Sequence, residues 1–167
     1  MPGKRISKTA GASNVFYSKA FKEGIPTLMG EIQLAMQWSR PSILVAVHNG
    51  SRGQEKARAQ LKKEILALGK KVRNIEPGPR VIPAILSSPD HASTVFFVSG
   101  IGSLKEDVRR DLYRELNFQR ERLVENRIVL VLWLGLQEAA EMPRFAPDFW
   151  SFRHRVVEFA PDRGATR

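Results

Sequence analysis

The chain has 167 residues, of which 43% are apolar and 8% aromatic, enough for one globular core and too few for two independent ones. It contains no cysteine, which removes disulfides, thiolate zinc sites and a cysteine nucleophile, and its three histidines, His48, His91 and His154, are not spaced as a helical metal pair. The formal charge is +10, no apolar run approaches the roughly 20 residues of a membrane span, and no leader-like apolar segment follows Met1 to Ser13, so a cytoplasmic protein with no membrane partner is expected.

Residues 1–24 read as a basic, flexible arm. They hold Gly3, Gly11, Gly24 and several Ser and Lys with no sustained period, interrupted by Val15, Phe16, Tyr17 and Phe21. From Pro26 the pattern becomes regular. Pro26 suits a helix start, Leu28, Ile32, Ala35, Met36 and Trp38 recur at helical spacing, and Pro41 closes the segment. Ile43 to Val47 is a continuous apolar run bounded by Pro41 and Asn49-Gly50, which predicts a strand buried on both faces. Residues 54–69 predict an amphipathic helix closed by Gly69. Val72 to Ile75 is a weak strand, and Val81 to Leu86 makes one or two helical turns between Pro79 and Pro89.

Thr94 to Val98 is a second strongly buried strand, ending at Ser99-Gly100. The longest helix is expected from Leu104 to Val124, with Val108, Leu112, Leu116 and Leu123 on one face. Ile128 to Leu134 is a third strong strand, broken by Gly135, and Gln137 to Met142 is a short helix. Ala146 to Trp150 is expected as a loop or turn, Val156 to Phe159 as the last strand, and residues 161–167 as a tail. Continuous apolar strands alternating with helices predict one α/β domain over residues 25–160, with about five mainly parallel strands and helices on both faces.

The charge is concentrated. Residues 1–25 carry a net +4, from Lys4, Arg5, Lys8, Lys19 and Lys22 against Glu23. Residues 52–71 carry a net +5, from Arg52, Lys56, Arg58, Lys62, Lys63, Lys70 and Lys71 against Glu55 and Glu64. At about 100° per residue, Lys56, Lys63 and Lys70 form a stripe opposite Ala57, Leu61, Ile65 and Leu68. Two readings stay open: a solvated face built from a good helix former, or a polyanion footprint shared by Lys4, Arg5, Lys8, Lys19, Lys22, Lys56, Lys63 and Lys70, with DNA or RNA as partner.

In open α/β sheets, ligands bind beyond the carboxyl ends of the strands. The first such end, His48 to Gly53, is rich in small residues and runs into a helix N-terminus. It lacks the Gly-Lys-Ser/Thr of a phosphate loop, so Asn49, Gly50, Ser51, Arg52 and Gly53 mark only a vestigial phosphate-loop position. Ser99 stands at the end of the third strand, where a metal-holding acid would be needed. Catalytic residues, metal and cofactor are therefore expected to be absent, and the chain is not expected to be an enzyme. Phe149, Trp150 and Phe152, with Arg153 beside them, are a large apolar load for a turn. They read either as a plug over the sheet edge or, through Phe149, Trp150 and Arg153, as a contact for a partner protein.

The stretch from Leu116-Asn117-Phe118-Gln119-Arg120-Glu121-Arg122-Leu123 through the strand Val129 to Leu134, and the ending Ala146-Pro147-Asp148-Phe149-Trp150-Ser151-Phe152-Arg153 before Val156-Val157-Glu158-Phe159, resembles a segment of bacterial multidomain proteins of the STAND NTPase and tetratricopeptide-repeat type. Such segments are similar to a P-loop or AAA-like ATPase core that has lost its nucleotide-binding motifs. The resemblance spans about residues 30–159 and implies a strand order of 5-1-4-3-2, with a flavodoxin-like order, as in receiver or TIR-type domains, as the alternative. It also implies a non-catalytic adaptor or regulatory module that binds another macromolecule. The alternative function, read from charge, is a nucleic-acid-associated protein that uses the arm and helix 54–69.

Overall fold

The computed structural model describes residues 23–159. A helix, α1, covers residues 23–38. It is followed by β1 (Ser42–His48), α2 (Ser51–Ala67), β2 (Lys71–Ile75), α3 (Val81–Leu86), β3 (Thr94–Val98), α4 (Glu106–Glu125), β4 (Val129–Leu134), α5 (Leu136–Phe145), α6 (Pro147–Ser151) and β5 (Arg155–Phe159). The five strands form one sheet in the order β2-β3-β4-β1-β5, and all four pairings are parallel. Read from the other edge this is 5-1-4-3-2, the P-loop-like order and not the flavodoxin-like one.

The apolar runs explain the layering. Successive strand residues face opposite sides, and β1, β3 and β4 are buried almost end to end because both sides are covered. Leu44 and Ala46 of β1 join Phe97, Val131 and Trp133 beneath α1 and α2. Ile43, Val45 and Val47 join Phe96, Leu130 and Leu132 beneath α3, α4, α5 and α6. The weak strand β2 is an edge strand whose partly buried residues are Val72 and Ile75. At the start of the β1–β5 contact, the Ile43 N–H donates to His154 Nδ1 (2.9 Å) and the His154 N–H donates to the Ile43 carbonyl (2.7 Å).

Several expectations are corrected. Trp38 is 60% exposed, because it lies about 100° around α1 from the stripe of Leu28, Ile32 and Ala35. The second helix begins at Ser51 and ends at Ala67. Leu68 is then the exposed cap, and Gly69 takes φ +76°. Lys70 therefore lies in the link to β2, outside the helix, and the lysine stripe on α2 reduces to Lys56 and Lys63. Ala146 to Trp150 is not a loop: Pro147 opens the helix α6. The arm and the tail lie outside the described residues, apart from Glu23 and Gly24 at the start of α1. No described helix is long and apolar enough to cross a membrane.

Candidate functional site

Strands β1 and β4 are neighbours, yet the helices that follow them, α2 and α5, cover opposite faces of the sheet. The chain therefore parts above the two strand ends, which is the position where a crevice opens in this class of fold. A cleft of about 270 Å³ lies there, lined by His48 from β1, Gln54 from α2, Gly100 to Ser103 after β3, Trp133 and Gly135 from the end of β4, and Glu138 from α5. A cavity of similar size, about 290 Å³, lies at the amino ends of the strands beside Met36, His91 and Arg127. None of its lining residues carries a buried polar atom without a partner.

The crevice differs in that respect. Of the four buried, unpartnered side-chain polar atoms among the described residues, His48 Nδ1 and Trp133 Nε1 belong to its lining. Burial pushes the His48 imidazole below its ordinary value of 6.5, against the opposing pull of the Gly50 backbone and Glu138, so the ring is neutral at pH 7. Glu138 is 9% exposed in the first turn of α5. Its carboxylate presses on Gly102 and Gly135: a Cβ at Gly135 would lie 2.6 Å from Oε2, and one at Gly102 would collide with Oε1. Only glycine leaves room for that carboxylate on both loops.

The phosphate-loop position is built differently from its sequence reading. The turn between β1 and α2 is Asn49-Gly50 alone, with Gly50 at φ +118°, while Ser51, Arg52 and Gly53 already begin α2. A phosphate loop of the G-x-x-x-x-G-K-S/T kind places more residues between its strand and its helix than this turn holds. At the end of β3, Arg58 Nη1 donates to Ser99 Oγ at 2.8 Å, so a cationic side chain from α2 stands where a metal-holding acid would be needed. Among the described residues no three His, Asp or Glu are grouped to hold a metal ion.

The remaining predicted residues separate. Lys4, Arg5, Lys8, Lys19 and Lys22 lie outside the described residues. Lys56 and Lys63 are exposed on α2 together with Arg52, about 180° from buried Leu61. Phe149 is fully buried, which corrects its reading as a partner contact: it is the inward plug of α6. Trp150 is half-buried, and the Arg153 guanidinium lies 4.7 Å from its ring centre while donating to the Trp150 carbonyl at 2.7 Å. Phe152 is 36% exposed, with the Arg120 guanidinium 5.5 Å from its ring.

Glu138 went unseen in the sequence because an acid three residues after Gly135 reads as an ordinary first-turn residue. Its spacing from Gly135, that of a capping-box acid, was the available signal. Gln54 had none, since it reaches the crevice only through the strand order, whereas Ser103 closes the stretch Ser99 to Ser103 after β3, a strand end of the kind where ligands bind. No family model matches the chain, and no curated protein matches it.

Proposed function

We propose that this domain is a non-catalytic recognition module that binds another protein, with the α6 corner as its contact surface. The observation that carries this reading is the pair of arginine–aromatic stacks there, Arg153 over Trp150 and Arg120 over Phe152. Arginine and partly exposed aromatic rings are the residue types in which binding energy concentrates, and stacking pre-orients both partners. Phe149 in the core and the Asn117 cap hold the corner before any partner arrives, which lowers the ordering cost of association. The degenerate NTPase-like core is supported by the two-residue β1–α2 turn and by Arg58 on Ser99.

The test is capture from the protein's own cells with wild type and with a Phe152→Ser, Arg153→Glu variant of unchanged melting temperature. A protein retained by wild type and lost by the variant is expected. Equal retention moves the contact away from α6, and no retained protein ends the reading.

A second reading, association with nucleic acid, is favoured by one observation. Arg52, Lys56 and Lys63 are all exposed within about 40° of one another on the outer side of α2.

A further inference from the structure

Three strand ends meet in one crevice, and the polar groups they bring there are not satisfied within the protein. Glu138 accepts no hydrogen bond and joins no ion pair among the described residues, although nine-tenths of it is buried. Trp133, at 1% exposure, has an indole N–H with no acceptor, and His48 Nδ1 is buried and unpaired. Buried polar groups such as these two are ordinarily paired, and the Glu138 oxygens, which are not among the buried unpartnered atoms, face the open space of the crevice. We propose that the crevice above β1, β3 and β4 is a binding site for a small ligand that presents an ammonium or guanidinium group to Glu138.

Charge selects this class. Glu138 is the only formally charged side chain in the lining, because His48 is neutral and the Arg58 guanidinium, which keeps its charge, lies outside the lining on Ser99. A phosphate would meet a like charge in a partly desolvated space, whereas an ammonium or guanidinium makes charge-assisted hydrogen bonds. Gln54 and Ser103 each offer donors and acceptors, so they suit the neutral polar remainder of such a ligand. About 270 Å³ is below the range of drug-sized pockets and fits a molecule of amino-acid dimensions. The site is separate from α6 and stands whether or not that corner takes a partner.

The experiment titrates the full chain with putrescine, L-arginine, AMP and inorganic phosphate while recording the indole N–H resonances. Trp133 is assigned by Trp38→Phe and Trp150→Phe variants. Putrescine or L-arginine is expected to shift the Trp133 and His48 signals saturably, with AMP and phosphate silent. Glu138→Gln should weaken that binding by about tenfold or more, the loss of one charge-assisted hydrogen bond. The proposal is overturned if neither cationic probe shifts these signals, if AMP or phosphate does, or if a folded Glu138→Gln binds as wild type. Should Glu138→Gln fail to fold, the wild-type titrations decide alone.

Discussion

Asn117 Oδ1, on α4, accepts the backbone N–H of Phe149 at 3.0 Å, and the same oxygen accepts the N–H of Asp148 at 2.8 Å. A five-residue helix is thus capped by a side chain distant in sequence, and Phe149 is driven into the core beneath it. Asn117→Ala is expected to cost about 1–2 kcal/mol, as for a lost N-cap. Phe149→Ala should cost roughly 3–5 kcal/mol as a core truncation. Trp150→Ala should cost clearly less than Phe149→Ala, because the ring is half-buried. Urea unfolding of the three variants checks the ranking; Trp150→Ala exceeding Phe149→Ala would contradict it.

A second cluster links α4 to α5. Arg109 donates to both oxygens of Glu141, at 2.8 and 3.1 Å, and the Tyr113 hydroxyl donates to Oε2 at 2.8 Å. The Arg109 hydrogen bond holds the Glu141 carboxyl below its ordinary value of 4.5, and burial opposes this only in part. With the folded value lowered, the unfolded chain binds more protons in acid. The stabilisation is therefore complete above about pH 4.5 and is lost as pH falls through the lowered folded value. Glu141→Gln should flatten the stability profile below that pH. Glu141→Ala should cost roughly 3 kcal/mol by leaving Arg109 unpaired, and Tyr113→Phe about 1 kcal/mol. Denaturant midpoints across an acid series would show a parallel Glu141→Gln curve if the linkage is absent.

Gly102 gives way to Glu138. Gly102→Ala is expected to destabilise by roughly 1–3 kcal/mol through overpacking, since the added methyl collides with the carboxylate. In a Glu138→Ala background the same change should cost much less, because the colliding atoms are gone. A double-mutant cycle by thermal unfolding measures the coupling, and additive costs would show that the two residues do not meet.

The basic face of α2 can be measured through salt. If the arm and α2 together neutralise about 5–8 phosphates of duplex DNA, the logarithm of the binding constant should fall against log salt with a slope of roughly −4 to −7. Changing Lys56 and Lys63 to Gln should make that slope shallower by about 1.8 without altering the melting temperature, because both are exposed. The same change at Lys70, outside the helix, should add less. An unaltered slope, or no binding at low salt, would leave α2 as a solubility face and remove the nucleic-acid reading.

His154 shows how a small exposed group can still be structural. Its Nδ1 accepts the Ile43 N–H where β5 joins β1. His154→Phe is expected to cost about 1–3 kcal/mol by leaving that donor unmet, and amide exchange at Ile43 should quicken in step.

The sequence alone determined the class of fold, because strand burial is encoded by local spacing. Ile43 to Val47, Thr94 to Val98 and Ile128 to Leu134 are continuous apolar runs, and a parallel sheet covered on both faces is what such runs satisfy. Helix bounds followed less closely. Trp38 and Leu68 match the period but lie off the buried stripe or beyond the helix end, where periodicity carries no information. The helix α6 was hidden for a different reason: five residues do not hold a helix by themselves, and the cap comes from Asn117 on another element. The crevice depended on tertiary structure most of all. His48, Gly102, Trp133 and Glu138 are scattered along the chain, and only the strand order, decided by long-range packing, brings three loops to one place. An acid that looks like an ordinary first-turn residue in the sequence becomes, there, a buried carboxylate facing an open space.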